Sequence, residues 1–179
     1  MSITCFKDLT VQAGAMPEKT IIAVVEAQDE HTIESVIQAT TDEIIQPVLI
    51  GDAEKIRELL ARCGADFTDF DIINAKDAEE SLEKAVKMIH SGSVGALMKG
   101  NVDSTVFMKA VVSRKNGLLT NNRLSHAALF ETPAYHKMFA VSDIVVNTYP
   151  DFECKRAIIE NAVGMLNSFG NQKLKRKDR

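Results

Sequence analysis

From Thr20 onward, short apolar runs rich in β-branched residues alternate with longer stretches whose apolar positions recur at helical spacing. Strands separated by amphipathic helices cannot pair through tight hairpins. The alternation therefore predicts successive βα units around a largely parallel sheet. Ile21-Ile22-Ala23-Val24-Val25 reads as the first strand, with Asp29 as N-cap of a helix carrying Ile33, Val36 and Ile37 on one face. Pro47-Val48-Leu49-Ile50 is the second strand, followed by a helix with Ile56, Leu59 and Leu60 inward and Gly64 at its C-terminal cap. A third unit has Phe70–Asn74 as strand and Asp77–His90 as helix, with Leu82, Ala85, Val86 and Ile89 inward, and Gly95–Met98 is the fourth strand.

A helix with Val106, Phe107, Ala110 and Val111 leads into Arg114-Lys115-Asn116-Gly117, a turn-rich break that reads as a domain boundary. Beyond it, Ser125–Phe130 and Lys137–Val141 read as strands joined through Pro133, and Phe152 to about Phe169 as a helix burying Ala157, Ile158, Ala162 and Met165. The expected organisation is a βα domain over 1–116, a partial second domain over 117–170 and a basic, disordered tail over 171–179.

With 45% apolar and 26% charged residues in 179, the chain can bury a sizeable core. A net charge of −4 argues against whole-surface attraction to nucleic acid. No apolar run approaches the roughly 20 residues needed to span a bilayer, and a cytoplasmic location is expected. Cys5, Cys63 and Cys154 have no metal or redox spacing and read as reduced, structural thiols, with no metal site expected.

Three clusters carry chemistry. Lys99-Gly100-Asn101 follows the fourth strand, where ligands bind in open α/β sheets; a lysine there can counter phosphate charge and a glycine lets backbone amides approach an anion. Ser104 and Thr105 add hydroxyls, although Asp103 or Ser104 could equally serve as a helix cap. Arg123-Leu124-Ser125-His126 combines a phosphate-binding cation with hydroxyl and imidazole. Adjacent Ser and His on a strand would point to opposite faces, which argues against a nucleophile and base pair. Ser142-Asp143 with Asn147 suits a turn or a ligand site equally.

Taken in order, these clusters carry a resemblance. Ala96-Leu97-Met98-Lys99-Gly100-Asn101, Gly117-Leu118-Leu119-Thr120 with Leu124-Ser125-His126, Phe130-Glu131-Thr132-Pro133 with Tyr135-His136-Lys137, and Ser142-Asp143 with Asn147, Pro150-Asp151 and Lys155 resemble the phosphate acetyl/butyryltransferase family. Phosphate butyryltransferases are the nearer branch. Ala27-Gln28-Asp29-Glu30-His31 and Pro47–Gly51 fit the same family, and the likeness is expected to run from about Thr20 to Gly170.

The resemblance implies a fold of the isocitrate and isopropylmalate dehydrogenase type, with two α/β domains flanking a cleft. It implies attack of phosphate on the thioester of acyl-CoA, with coenzyme A and phosphate as substrates and no organic cofactor. Lys99, Gly100, Asn101, Ser104, Thr105 and Lys109 would bind substrate on one wall, and Arg123 on the other, with Ser125, Asp143 and Asn147 as catalytic groups beside it. A homodimer is implied as well. Family members continue for well over 100 further residues, so a truncated chain lacking much of the active site is expected. The alternative function is a non-catalytic remnant that binds phosphate or a CoA-like anion, or only self-associates. A nicotinamide-dependent dehydrogenase is disfavoured, because Glu26-Ala27-Gln28-Asp29 offers carboxylates and no glycine fingerprint where a pyrophosphate would sit.

Overall fold

The computed structural model describes residues 3–114, 117–120 and 122–169. These divide into two compact units, one of Ala13–Leu119 and the other of the described residues on either side of it. The expected boundary at 116/117 assigned the whole N-terminus to the βα unit, whereas here residues 3–12 group with the later segment. The expected tail over 171–179 lies outside the described residues.

In the first unit, β1 (Thr20–Val25), β2 (Ile45–Gly51), β3 (Asp71–Asn74) and β4 (Ala96–Lys99) form a parallel sheet in the order β3-β2-β1-β4. The pairing runs Ile22 to Pro47 and Ala96, and Leu49 to Ile72. Side chains alternate across the sheet, so each strand feeds two cores. Val24 and Leu49 pack with Ile33 and Val36 of α2 (Glu30–Thr41) and Ile56 and Leu60 of α3 (Ala53–Arg62). Ala23, Val25, Val48 and Ile50 pack on the other face with Leu82 and Ala85 of α4 (Ala78–Ser91), joined by Phe107 and Ala110 of α5 (Ser104–Val111).

Each of these four helices opens on an aspartate whose carboxylate accepts backbone N–H groups: Asp29, Asp52, Asp77 and Asp103. This satisfies amides that a helix start otherwise leaves unpaired. Helix α3 has Cys63 as its C-cap, and Gly64 follows in the left-handed region at φ +80°.

A further helix, α1 (Phe6–Gly14), precedes the region where the alternation is legible. In the second unit, β5 (Ala128–Thr132) and β6 (Tyr135–Val141) form an antiparallel pair, and α6 (Phe152–Ser168) follows. The strand expected over Ser125–Phe130 begins only at Ala128, opposite Val141. Upstream, the carbonyls of Arg123, Leu124 and His126 accept from side chains of Asn161, Asn147 and Ser142 and do not join a ladder. Within α6, Cys154 and Ile158 are buried, whereas Ala157, Ala162 and Met165 are half-buried.

Candidate functional site

The strand order reverses at β1, whose neighbours are β2 on one side and β4 on the other, and such a reversal is where open α/β sheets take ligands. The carboxyl end of β4 stays close to β1 there. The Gly100 amide donates to Val25 O at 2.9 Å and the Asn101 amide to Glu26 O at 2.8 Å. A Cβ on Gly100 would lie 2.4 Å from Glu26 O and 2.7 Å from Val25 O. The glycine thus serves close backbone approach, and the amides expected to cradle an anion are bonded to carbonyls.

Asp103 closes the next possibility by accepting from the amides of Thr105 at 2.8 Å and Val106 at 3.2 Å. The Val106 N–H and then the Thr105 N–H, helped by the Thr105 hydroxyl, hold the Asp103 carboxyl below its ordinary range. A carboxylate therefore occupies the first turn of α5. What this edge offers a ligand is side chains: Lys99, Asn101, Ser104, Thr105 and Lys109 are all exposed. Among the described residues the Lys99 ammonium makes one hydrogen bond, 3.3 Å to the Gly100 carbonyl.

Beneath this edge lies a polar network that sequence reasoning missed. Glu26 is 8% exposed with a left-handed φ of +55°. Its carboxylate accepts from the hydroxyl of fully buried Ser81 and from Gln28 Nε2 at 2.7 Å. Gln28 Oε1 accepts from the Asp52 amide at 3.3 Å, and Asn74 Oδ1 accepts from the Ala53 amide at 3.1 Å. Side chains thereby connect the ends of β1, β2 and β3. A glutamate directly after Val24-Val25 was the available signal, but its buried donor comes from a helix 55 residues away.

In the second unit, the structure brings Ser125, Asp143 and Asn147 into one bonded neighbourhood. Asp143 accepts from the amides of Val145, Val146 and Asn147 and from the Asn147 side chain. Burial pushes its carboxyl up, but these bonds, with one from the His126 backbone, outweigh burial and hold it below the ordinary value. Asn147 Nδ2 also donates to Leu124 O at 3.0 Å. Both side chains are thus committed to holding this loop. Ser125 accepts from Asn161 Nδ2 at 2.8 Å, and Arg123 is exposed, with its carbonyl bonded to the same nitrogen. Ser125 and His126 precede β5, so the opposite-faces argument for a strand does not apply. Asn161 was missed because nothing local to α6 marks it.

Among the described residues, Glu30, Glu34 and Cys63 bring possible metal ligands within 4.8 Å of one another. Both carboxylates are exposed, Glu30 pairs with Arg62, and burial pushes the Cys63 thiol up, away from the thiolate a metal needs. Cys5, Cys63 and Cys154 are all free.

The sheet with a reversed strand order, its charged carboxyl edge and the second, hairpin-bearing unit define an α/β protein built as two units. Residues 78–176 of 179 match the family model described as phosphate acetyl/butaryl transferase, and the chain belongs to that family. It is 34% identical over 165 residues to the phosphate butyryltransferase of Clostridium beijerinckii, covering 92% of this chain and 54% of that one. The phosphate acetyltransferase of Rickettsia felis is 35% identical over 169 residues, covering 94% of this chain and 48% of that one.

In fold, the chain is similar to a phosphotransacetylase from Staphylococcus aureus, with a TM-score of 0.67 at 14% identity over 94% of this chain and 59% of that one. A branched-chain phosphotransacylase from Enterococcus faecalis gives 0.64 at 18% identity, over 82% and 51%. The chain spans about half the length of the curated relatives it matches. The family match runs past the expected limit at Gly170, and Asn171–Arg176 fall within it.

Proposed function

We propose that this chain takes part in phosphate acyltransfer, in which acyl-CoA and inorganic phosphate give acyl phosphate and free coenzyme A. The observation that carries the reading is 34% identity to a phosphate butyryltransferase and 35% to a phosphate acetyltransferase, each over more than nine-tenths of this chain. A phosphate oxygen attacks the thioester carbonyl carbon. The new C–O bond forms, the C–S bond breaks, and the departing sulfur takes the proton that hydrogen phosphate gives up, so that it leaves as thiol. Coenzyme A and phosphate enter as substrates, and the reading requires no metal or organic cofactor.

The exposed side chains divide the chemical work. In the first unit Lys99 supplies a cation for an anion, and Ser104, Thr105 and Lys109 supply further donors for phosphate groups; in the second unit Arg123 supplies a cation of its own. The Ser125 hydroxyl donates to an anionic oxygen, that of phosphate or of the carbonyl as it becomes an oxyanion. Asp143 and Asn147 act by holding the 124–126 segment in place.

Thiol release from butyryl-CoA and acetyl-CoA, measured with and without phosphate on the 179-residue chain, tests the reading. Phosphate-dependent release is expected. Phosphate binding without release would leave a non-catalytic anion binder, and neither binding nor release would overturn both.

A homodimer through the second unit extends the proposal. Phe130, Tyr135, Phe139 and Ile159 stand exposed there, and uncovered apolar surface beside a short hairpin favours association. Light scattering over a concentration series checks this, and a monomer mass throughout would sink it. No helix among the described residues is long and apolar enough to cross a membrane, and with three free thiols this supports a cytoplasmic location.

A further inference from the structure

Asn161 of α6 places one nitrogen, Nδ2, 2.8 Å from the Arg123 carbonyl oxygen and 2.8 Å from Ser125 Oγ. A backbone carbonyl can only accept, so the atom facing Arg123 O must be the amide nitrogen. That fixes the orientation of the side chain. The same nitrogen has no acceptor capacity, so Ser125 Oγ must accept from it, and the Ser125 O–H proton is left to donate elsewhere. Among the described residues no acceptor for that proton is found. The Nδ1 atom of neighbouring His126 is buried without a hydrogen-bond partner and does not take it.

We propose that Asn161 is a positioning residue that fixes Ser125 as a hydrogen-bond donor to an anionic oxygen of the substrate, and not as a nucleophile. A nucleophilic serine needs a base beside Oγ to remove its proton, and the neighbour here is a donor. A donor whose proton is already directed is what an incoming phosphate oxygen or a developing oxyanion requires. The identity of the anion rests on the acyltransfer reading; the polarity of the Asn161 and Ser125 pair does not.

The test uses the full chain and two readouts. In a 15N-labelled sample, one of the two Asn161 side-chain amide protons should shift in Ser125→Ala while the other, bonded to Arg123 O, stays. Phosphate affinity by calorimetry should fall about tenfold in Ser125→Ala, and by a similar factor in Asn161→Ala. The double variant should lose no more than either single one, because the two groups act as a unit. Asn161→Asp is the discriminating variant. Its carboxylate can only accept, so it would draw the Ser125 proton away from the ligand and weaken phosphate binding beyond Asn161→Ala.

Circular dichroism on each variant separates these losses from unfolding. Additive losses, or wild-type affinity in Asn161→Asp, overturn the positioning role. Unmoved amide protons in Ser125→Ala overturn the pair itself, whether or not the chain turns over. A wild-type chain that neither binds phosphate nor releases thiol, with the amide shift present, overturns the anion half together with the acyltransfer reading.

Discussion

The amide of Asn101 donates to the carbonyl of Glu26 at 2.8 Å, one residue past the point where the Gly100 amide reaches Val25. These two bonds carry the β1 and β4 pairing beyond the strands and set where the Lys99 side chain emerges. Gly100→Ala would push a Cβ to 2.4 Å from Glu26 O, a backbone atom that cannot rotate away. Overpacking of this kind costs about 1–3 kcal/mol. A urea titration should show a lowered midpoint, and an unchanged midpoint would mean that the strand ends do not approach this closely.

Ser81 is fully buried and its hydroxyl donates to the Glu26 carboxylate. In Ser81→Ala the carboxylate keeps the Gln28 donor but loses the other in a site closed to water. The expected destabilisation is about 1–3 kcal/mol, read from the same denaturation experiment. Because Glu26 sits at φ +55°, Glu26→Gly relieves the backbone while removing the carboxylate. It should therefore cost less than Glu26→Ala. The reverse order would show that the left-handed backbone is not maintained.

The loop at Asp143 gives a pH dependence whose sign is fixed. Its carboxyl lies below the ordinary value in the folded chain. A group depressed on folding adds stability that is fully present above its unfolded pKa, about 3.9, and is lost as pH falls through the folded value. The urea midpoint of the wild type should exceed that of Asp143→Asn near neutrality, and the gap should narrow below about pH 4. A gap independent of pH would remove the Asp143 charge from the account.

The legible parts of the fold are those whose causes are local. Asp29, Asp77 and Asp103 each cap a helix with their own carboxylate, within three residues of the amides they receive. The apolar runs from Ile21 and Pro47 become central strands because both of their faces are covered. Helix α1 carries Phe6, Leu9 and Ala13 at helical spacing, but it precedes the first strand, so no βα alternation marks it as an element. The start of β5 was misplaced for another reason. The carbonyls before it are taken by side chains 16, 23 and 38 positions away, at Ser142, Asn147 and Asn161.

The candidate site shows the same division. Lys99, Ser104 and Thr105 could be nominated from their place after a strand, whereas Glu26 with Ser81 and Asn161 with Ser125 become visible only once distant segments meet.

Lys99 offers the most direct check on the substrate edge, because stability and binding separate cleanly there. The side chain is exposed, and among the described residues its ammonium makes one hydrogen bond, to the carbonyl of the next residue at 3.3 Å. Removing it breaks no buried contact. Lys99→Ala should therefore leave the unfolding free energy from a urea titration within about 0.5 kcal/mol of wild type. The charge acts on an incoming anion instead, and losing a bond between charged partners should weaken phosphate binding about tenfold or more at low salt. That loss should shrink as salt is raised, since an exposed cation is screened. Lys99→Arg keeps the charge but replaces a compact ammonium with a planar fork, and should restore part of the affinity. Calorimetry with inorganic phosphate at two ionic strengths reads all three effects. Wild-type affinity in Lys99→Ala at both would remove this lysine from the anion site.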